Sequence, residues 1–339
     1  MPADNRRAGV AKLVDALGLG PSGATLESSS LSARTPKLTR KKRLAHCPSL
    51  FCLKPKKLLK YKYNIPFMFN FLHNFQPPAI LLSWGPIHIY WYGLFIVLGI
   101  LAAIVITKRL AKKYGLSEDL IFDLAFWLII AGLVGARIYD ILLELPYYLN
   151  HPGQMLRVWE GGLAIHGAII AGLIVTVLFA RRHKLNFWQL TAAVTPGLAI
   201  GQAIGRWGNY FNQELFGLPT EKWWGIPINL INRPAAYISS TYFHPTFLYE
   251  SLGCLIIGIT LLLINYNFIK RGRNNRQFYV LMTALYMILY SILRFTLEFI
   301  KIDTTPTWLG LRWPQIMSLL IIIVFSILIF FKKPSQNHA

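Results

Sequence analysis

Long apolar runs separated by short polar intervals organise the chain from Met68 onward. The runs are Ile89–Thr107, Leu120–Leu143, Leu163–Ala180, Phe187–Ile204, Phe247–Asn265, Phe278–Ile300 and Pro314–Phe331. Each is close to the ~20 residues that a helix needs to cross a bilayer core. The pattern predicts an all-α polytopic membrane protein with about seven transmembrane helices. Phe71–Trp84, aromatic and proline-containing, suits an interfacial lead-in. Residues 144–160 form a polar loop, and 207–244, rich in Trp, Pro and Asn, is the longest loop. The core shows no internal repeat and no low-complexity tract.

Charge orients these spans. Basic clusters follow the first, third, fifth and seventh: Lys108-Arg109 with Lys112-Lys113, Arg181-Arg182-His183-Lys184, Lys270-Arg271 with Arg273 and Arg276, and Lys332-Lys333. The loops after the second, fourth and sixth carry fewer. The positive-inside bias then predicts the N-terminus outside, the C-terminus in the cytoplasm, and loop 207–244 on the extracytoplasmic face.

Composition agrees. Of 339 residues, 54% are hydrophobic and only 14% charged, against about a quarter charged in globular chains. The formal net charge of +21 would point to nucleic acid in a soluble chain. Here most basic residues lie between apolar segments, so topology accounts for them and no nucleic-acid partner is expected. Cys47, Cys52 and Cys254 make no disulfide framework, and the first two have no His or Cys partners nearby for a metal.

Residues 1–67 differ in texture, with a serine run at 28–30 and a basic stretch from Lys37 to Lys62. A transit peptide or a basic arm is one reading. The segment Val10–Leu31 also resembles the conceptual translation of a leucine transfer-RNA gene, with Glu27–Leu31 encodable by a T-loop sequence. The favoured expectation is a spurious or disordered extension, with translation starting at Met68 and residues 68–339 forming the transmembrane domain. The inferred topology agrees, because it would place this basic stretch outside the cytoplasm.

Candidate chemistry concentrates in Gly205-Arg206-Trp207-Gly208-Asn209-Tyr210-Phe211-Asn212-Gln213-Glu214-Leu215-Phe216-Gly217. A guanidinium at the end of an apolar span is costly unless it is paired or faces a wet cavity. Its planar fork suits a phosphate, although a snorkelling arginine beside a polar loop is the plainer reading. His166, in Glu160-Gly161-Gly162-Leu163-Ala164-Ile165-His166-Gly167, is either a satisfied structural histidine or a base near neutral pH. Tyr290, Arg294 and Glu298 are spaced four apart, which stacks them on one helix face. They form either a structural ion pair or a cavity lining. Arg137 and Asp140 read as a structural pair.

The Gly205–Gly217 run resembles the signature of the prolipoprotein diacylglyceryl transferases of bacterial inner membranes. That signature reads Gly-Arg, any residue, Gly or Ala, Asn-Phe, an apolar residue, Asn, any residue, Glu, two of any kind, Gly. Tyr210 stands where the family usually has Phe. Val158-Trp159-Glu160-Gly161-Gly162 with His166-Gly167, the Tyr290/Arg294/Glu298 triplet, Trp91-Tyr92-Gly93 and His244-Pro245-Thr246-Phe247-Leu248-Tyr249-Glu250 also resemble family elements. The resemblance covers residues 85–333.

It implies an enzyme that moves the diacylglyceryl group of phosphatidylglycerol onto the lipobox cysteine thiol of a prolipoprotein signal peptide, the first step of lipoprotein maturation. It implies a multi-pass protein of the bacterial inner membrane, with its active site toward the extracytoplasmic side. Arg206 and Arg294 are expected on the phosphate, and His166 at the thiol or the head group. Asn209, Glu214 and Glu298 are expected to orient head group and arginines, while Tyr92 and Tyr290 hydrogen-bond the glycerol or phosphate. Glu250 is read as a span-entry and packing residue with a lesser claim to the site. No metal or organic cofactor is expected, since neither Cys/His ligand spacing nor a Gly-rich nucleotide loop is present. Another phospholipid head-group transferase, or a membrane transport or scaffold protein, is the alternative, although no inverted repeat supports transport.

Overall fold

The computed structural model describes residues 67–330, except 86, 273 and 274. The expectation for residues 1–67, apart from Phe67 itself, lies outside the described residues.

The chain enters through a short helix, α1 (Phe67–Asn74), and a two-stranded ribbon, β1 (Ile80–Trp84) and β2 (Ile87–Tyr90). The long helices are α2 (Trp91–Lys113), α3 (Glu118–Leu143), then after the six-residue α4 (Leu145–Asn150), α5 (Ile165–Arg182) and α6 (Phe187–Phe211). The ribbon β3 (Ile226–Pro227) and β4 (Tyr242–Phe243) ties the ends of the following loop. Helices α7 (Thr246–Lys270) and α8 (Arg276–Leu297), the ribbon β5 (Thr307–Trp308) and β6 (Leu311–Arg312), and α9 (Trp313–Phe330) complete the fold. The strands are two-residue to five-residue pieces in the connections, so the protein is all-α in class.

Among the described residues, six helices (α2, α3, α5, α7, α8 and α9) are long and apolar enough to cross a membrane. The remaining expected span, 187–204, forms the 25-residue α6, long enough to cross but less apolar. The reason is its place in the bundle. Helix α6 packs against α2, α7 and α8 and buries residues along most of its length, so its surroundings are protein, where Gln202 and small residues fit. Gly99 and Ala103 on α2 meet Gly197 and Gly201 on α6. A Cβ at Gly201 would lie 2.8 Å from the Gly99 carbonyl oxygen, and one at Gly197 would lie 2.6 Å from that of Ala103. These two pairs, each spaced four apart, let the backbones approach as closely as small-residue interfaces in membranes require.

Local chemistry starts the helices where polar intervals end. Ser117 accepts from Leu120 N at the head of α3, Asn186 from Trp188 N at α6, and Asn275 from Phe278 N at α8. Each satisfies a backbone donor that a helix N-terminus leaves orphaned.

The polar loop 144–160 is folded around Arg137. Its guanidinium is buried and donates to the carbonyls of Met155 (3.0 Å), Gly161 (2.7 Å) and Gly162 (2.9 Å), and also to Gln154. Asp140 lies 3.9 Å from it and accepts from the Tyr148 hydroxyl at 2.8 Å. The structural role expected for this pair therefore rests mainly on carbonyls.

Candidate functional site

The signature begins inside a helix. Helix α6 continues past the expected end of its span to Phe211, so Arg206 and Asn209 are one helical turn apart on it. The chain then turns back, and Gly217 N donates to His244 O (2.9 Å), His244 N to Leu218 O (3.0 Å) and Leu218 N to Ile300 O (2.8 Å). A Cβ on Gly217 would sit 2.7 Å from Ile300 Cγ2 and 2.9 Å from Thr246 Cγ2, which is why a residue without a side chain stands there. This seam brings the ends of α6 and α8 to the start of α7.

At the junction stands Glu250, in the second turn of α7 and 1% exposed. Arg206 Nη2 lies 2.6 Å from its Oε1. Arg294 Nη1 lies 3.8 Å and Lys301 Nζ 3.5 Å from its Oε2. The Tyr290 hydroxyl donates to Oε1 at 3.2 Å. A second carboxylate, Glu298, also 1% exposed, lies 3.2 Å from Arg294 Nη2 and 3.3 Å from Arg312 Nε. Both contacts are ion pairs without hydrogen-bond alignment. Arg312 further donates to the carbonyls of Glu298 (3.0 Å) and Lys301 (2.7 Å), pinning the loop that carries Lys301.

Four basic side chains thus surround two buried carboxylates, leaving two positive charges beyond the carboxylates they touch. The carboxylate side chains are sealed, at 1–2% exposure, while those of Arg206 and Arg294 are each 23% exposed. Arg294 Nη1 is buried and makes no hydrogen bond. The exposed part of the cluster is therefore guanidinium, from Arg206 and Arg294 and, at 18%, from Arg312. Burial lowers the proton affinity of Lys301, Glu250 raises it, and the net direction is down.

The other expected residues divide into two groups. Asn209 is buried, lies 3.4 Å from Arg206 Nη1 through its Oδ1, and donates to Glu214 Oε1 at 2.8 Å. Glu214 itself is exposed. Tyr92 packs on Gly208, within electrostatic reach of Glu214 and Arg206. These belong with the cluster. His166 does not join it: it is the second residue of α5, exposed, with its ring 6.0 Å from that of Tyr139 on α3. Beside the cluster, Phe95, Ile200, Ala203, Ile204, Trp207, Ser251 and Leu255 line an apolar recess of about 300 Å³ between α2, α6 and α7.

Sequence reasoning underrated Glu250 and missed Lys301 and Arg312. A carboxylate within the first turns of an apolar span was the available signal for Glu250. Lys301 and Arg312 lie in a connection, and nothing in spacing marks their approach to the site.

A bundle of helices long and apolar enough to cross a membrane, with a cationic cluster at one end, is what these residues define. The family described as Prolipoprotein diacylglyceryl transferase matches residues 79–331. A protein of Synechococcus elongatus is 43% identical over 255 residues, which is 75% of this chain and 86% of the relative. One from Parasynechococcus marenigrum is 38% identical over 78% of this chain and 96% of its own. One from Halalkalibacterium halodurans is 36% identical over 75% and 86%. All three are named phosphatidylglycerol–prolipoprotein diacylglyceryl transferase. The chain belongs to the prolipoprotein diacylglyceryl transferase family.

Proposed function

We propose that this protein transfers the diacylglyceryl group of phosphatidylglycerol to the lipobox cysteine thiol of prolipoproteins, in the bacterial inner membrane, with the site toward the extracytoplasmic side. This is the first step of lipoprotein maturation. The observation that carries the reading is the cluster around Glu250 and Glu298, whose four basic side chains exceed its two carboxylates by two charges and whose exposed part includes the guanidiniums of Arg206 and Arg294.

The cysteine sulfur attacks the glycerol carbon that bears the phosphate ester. A C–S bond forms, the C–O bond breaks, the thiol proton passes to a base, and glycerol phosphate leaves. Negative charge grows on the departing phosphate, where fixed guanidiniums stabilise it without reorganising. Arg206 and Arg294 hold this phosphate, while Glu250, Glu298 and Asn209 hold the arginines and Glu214 holds Asn209. Tyr92 and Tyr290 serve the glycerol and phosphate oxygens. The recess lined by Ile200, Ile204 and Leu255 suits an acyl chain of the lipid. His166, exposed and apart from the arginines, serves the incoming peptide before its sulfur reaches the glycerol carbon, and the thiolate is the nucleophile.

The test is transfer of labelled glycerolipid to a synthetic lipobox peptide by membranes containing the protein. Label is expected on the peptide cysteine, and its loss in Arg206→Ala and Arg294→Ala with the protein still folded. Full activity in either variant would remove the phosphate clamp.

A further inference from the structure

At the end of the bundle remote from Arg206, the last two turns of α2 carry four cations on two flanks. Lys108 and Lys112 pair with Glu118, at 2.7 and 3.3 Å. Arg109 and Lys113, each one residue further on, point to another flank, toward α7. Among the described residues neither has a carboxylate partner. Both are exposed. Together with Ile106, Leu110, Leu262 and Tyr266 they line a cavity of about 260 Å³ between α2 and α7. Lys113 Nζ lies 5.9 Å from the centre of the Tyr266 ring. Tyr92 marks the Arg206 end of α2, so at 1.5 Å per residue Arg109 lies about 25 Å along the helix from it. This is therefore a separate place, at the opposite boundary of the span.

We propose that this cavity binds an anionic phospholipid. Its phosphate rests on Arg109 and Lys113, the Tyr266 ring sits at head-group level, and the first methylenes of an acyl chain lie along Ile106, Leu110 and Leu262. Cations that only set topology or complement a helix C-terminus need no cavity. The Glu118-paired lysines fit that simpler role. Arg109 and Lys113 combine two unpaired charges, an apolar floor and an aromatic rim, the arrangement by which basic pockets between transmembrane helices take lipid head groups.

Native mass spectrometry of the detergent-solubilised full chain, titrated with phosphatidylglycerol or phosphatidylcholine, tests this. The variants are Arg109→Gln/Lys113→Gln, the charge-keeping Arg109→Lys/Lys113→Arg, and Lys112→Gln, each repeated in an Arg206→Ala background to separate the two sites. The Gln pair is expected to weaken one phosphatidylglycerol adduct by about ten- to thirty-fold. The charge-keeping pair and Lys112→Gln are expected to retain it, and phosphatidylcholine to bind less in every form. Undiminished binding in the Gln pair overturns the proposal, and so does loss of the adduct in the charge-keeping pair. Displacement by inorganic phosphate at constant ionic strength also overturns it, since the site would then take a free anion.

Discussion

Arg206 Nη2 lies 2.6 Å from Glu250 Oε1, and this contact joins the end of α6 to the second turn of α7. It makes a carboxylate the organising centre of a cationic site. Glu250 holds both guanidiniums of the expected clamp on its two oxygens, with Lys301 and Tyr290 completing its surroundings.

Glu250→Ala is expected to leave Lys301 buried beside uncompensated guanidiniums. Breaking a buried ion pair by removing one partner costs about 3–5 kcal/mol. Thermal unfolding of the purified protein should show this loss, and lipid transfer should fall with it. Glu250→Gln keeps an acceptor for the Tyr290 hydroxyl and should lose less stability than Glu250→Ala. An unchanged melting temperature in Glu250→Ala would remove Glu250 from the centre of the site.

Lys301 sets a pH dependence. Its folded pKa lies below the ordinary 10.5, chiefly through burial. Between that lowered value and 10.5 the unfolded chain binds more protons than the folded one, so stability should rise with pH across this window. Unfolding measured against pH for the parent protein and for Lys301→Met should show this rise in the parent only. A slope shared by both would assign it to other groups.

The α2–α6 seam predicts a contrast between two glycines on one helix. Gly201→Ala brings a Cβ to 2.8 Å from the Gly99 carbonyl oxygen and should cost about 1–3 kcal/mol by overpacking. Gly205→Ala meets nothing within 4 Å and should leave stability unchanged or raise it through helix propensity, by about 1 kcal/mol. Chemical denaturation of the two variants compares them directly.

Arg137→Met removes a buried guanidinium from several loop carbonyls without touching the Glu250 cluster. Each buried acceptor left unsatisfied costs about 1–3 kcal/mol. The loop between α4 and α5 should become the first site of limited proteolysis. Digestion at the parent's rate would show that the loop does not depend on Arg137.

How far the sequence alone reaches can be judged from particular residues. The apolar runs located the long helices, because a bilayer demands an apolar stretch of fixed length whatever its neighbours. Tyr290, Arg294 and Glu298 were placed on one face by helical spacing alone, and Glu298 keeps that register at the helix end, its N–H bonded to Arg294 O. The Gly205–Gly217 run pointed to the family through its resemblance to the signature, and its charged and polar residues at the end of an apolar span marked it as a candidate site.

Tertiary structure alone decided the rest. Helix α6 lies packed against α2, α7 and α8, which is where its small and polar residues find protein surroundings. Glu250 became the centre because the Gly217–His244 and Leu218–Ile300 seam draws three helix ends together. Lys301 and Arg312 entered the site from a connection, and His166 stayed beside Tyr139, away from the arginines. Spacing along one helix is a local property that a sequence displays. The meeting of side chains from different helices depends on how closely those helices pack and where their connections cross, and only the folded chain expresses it.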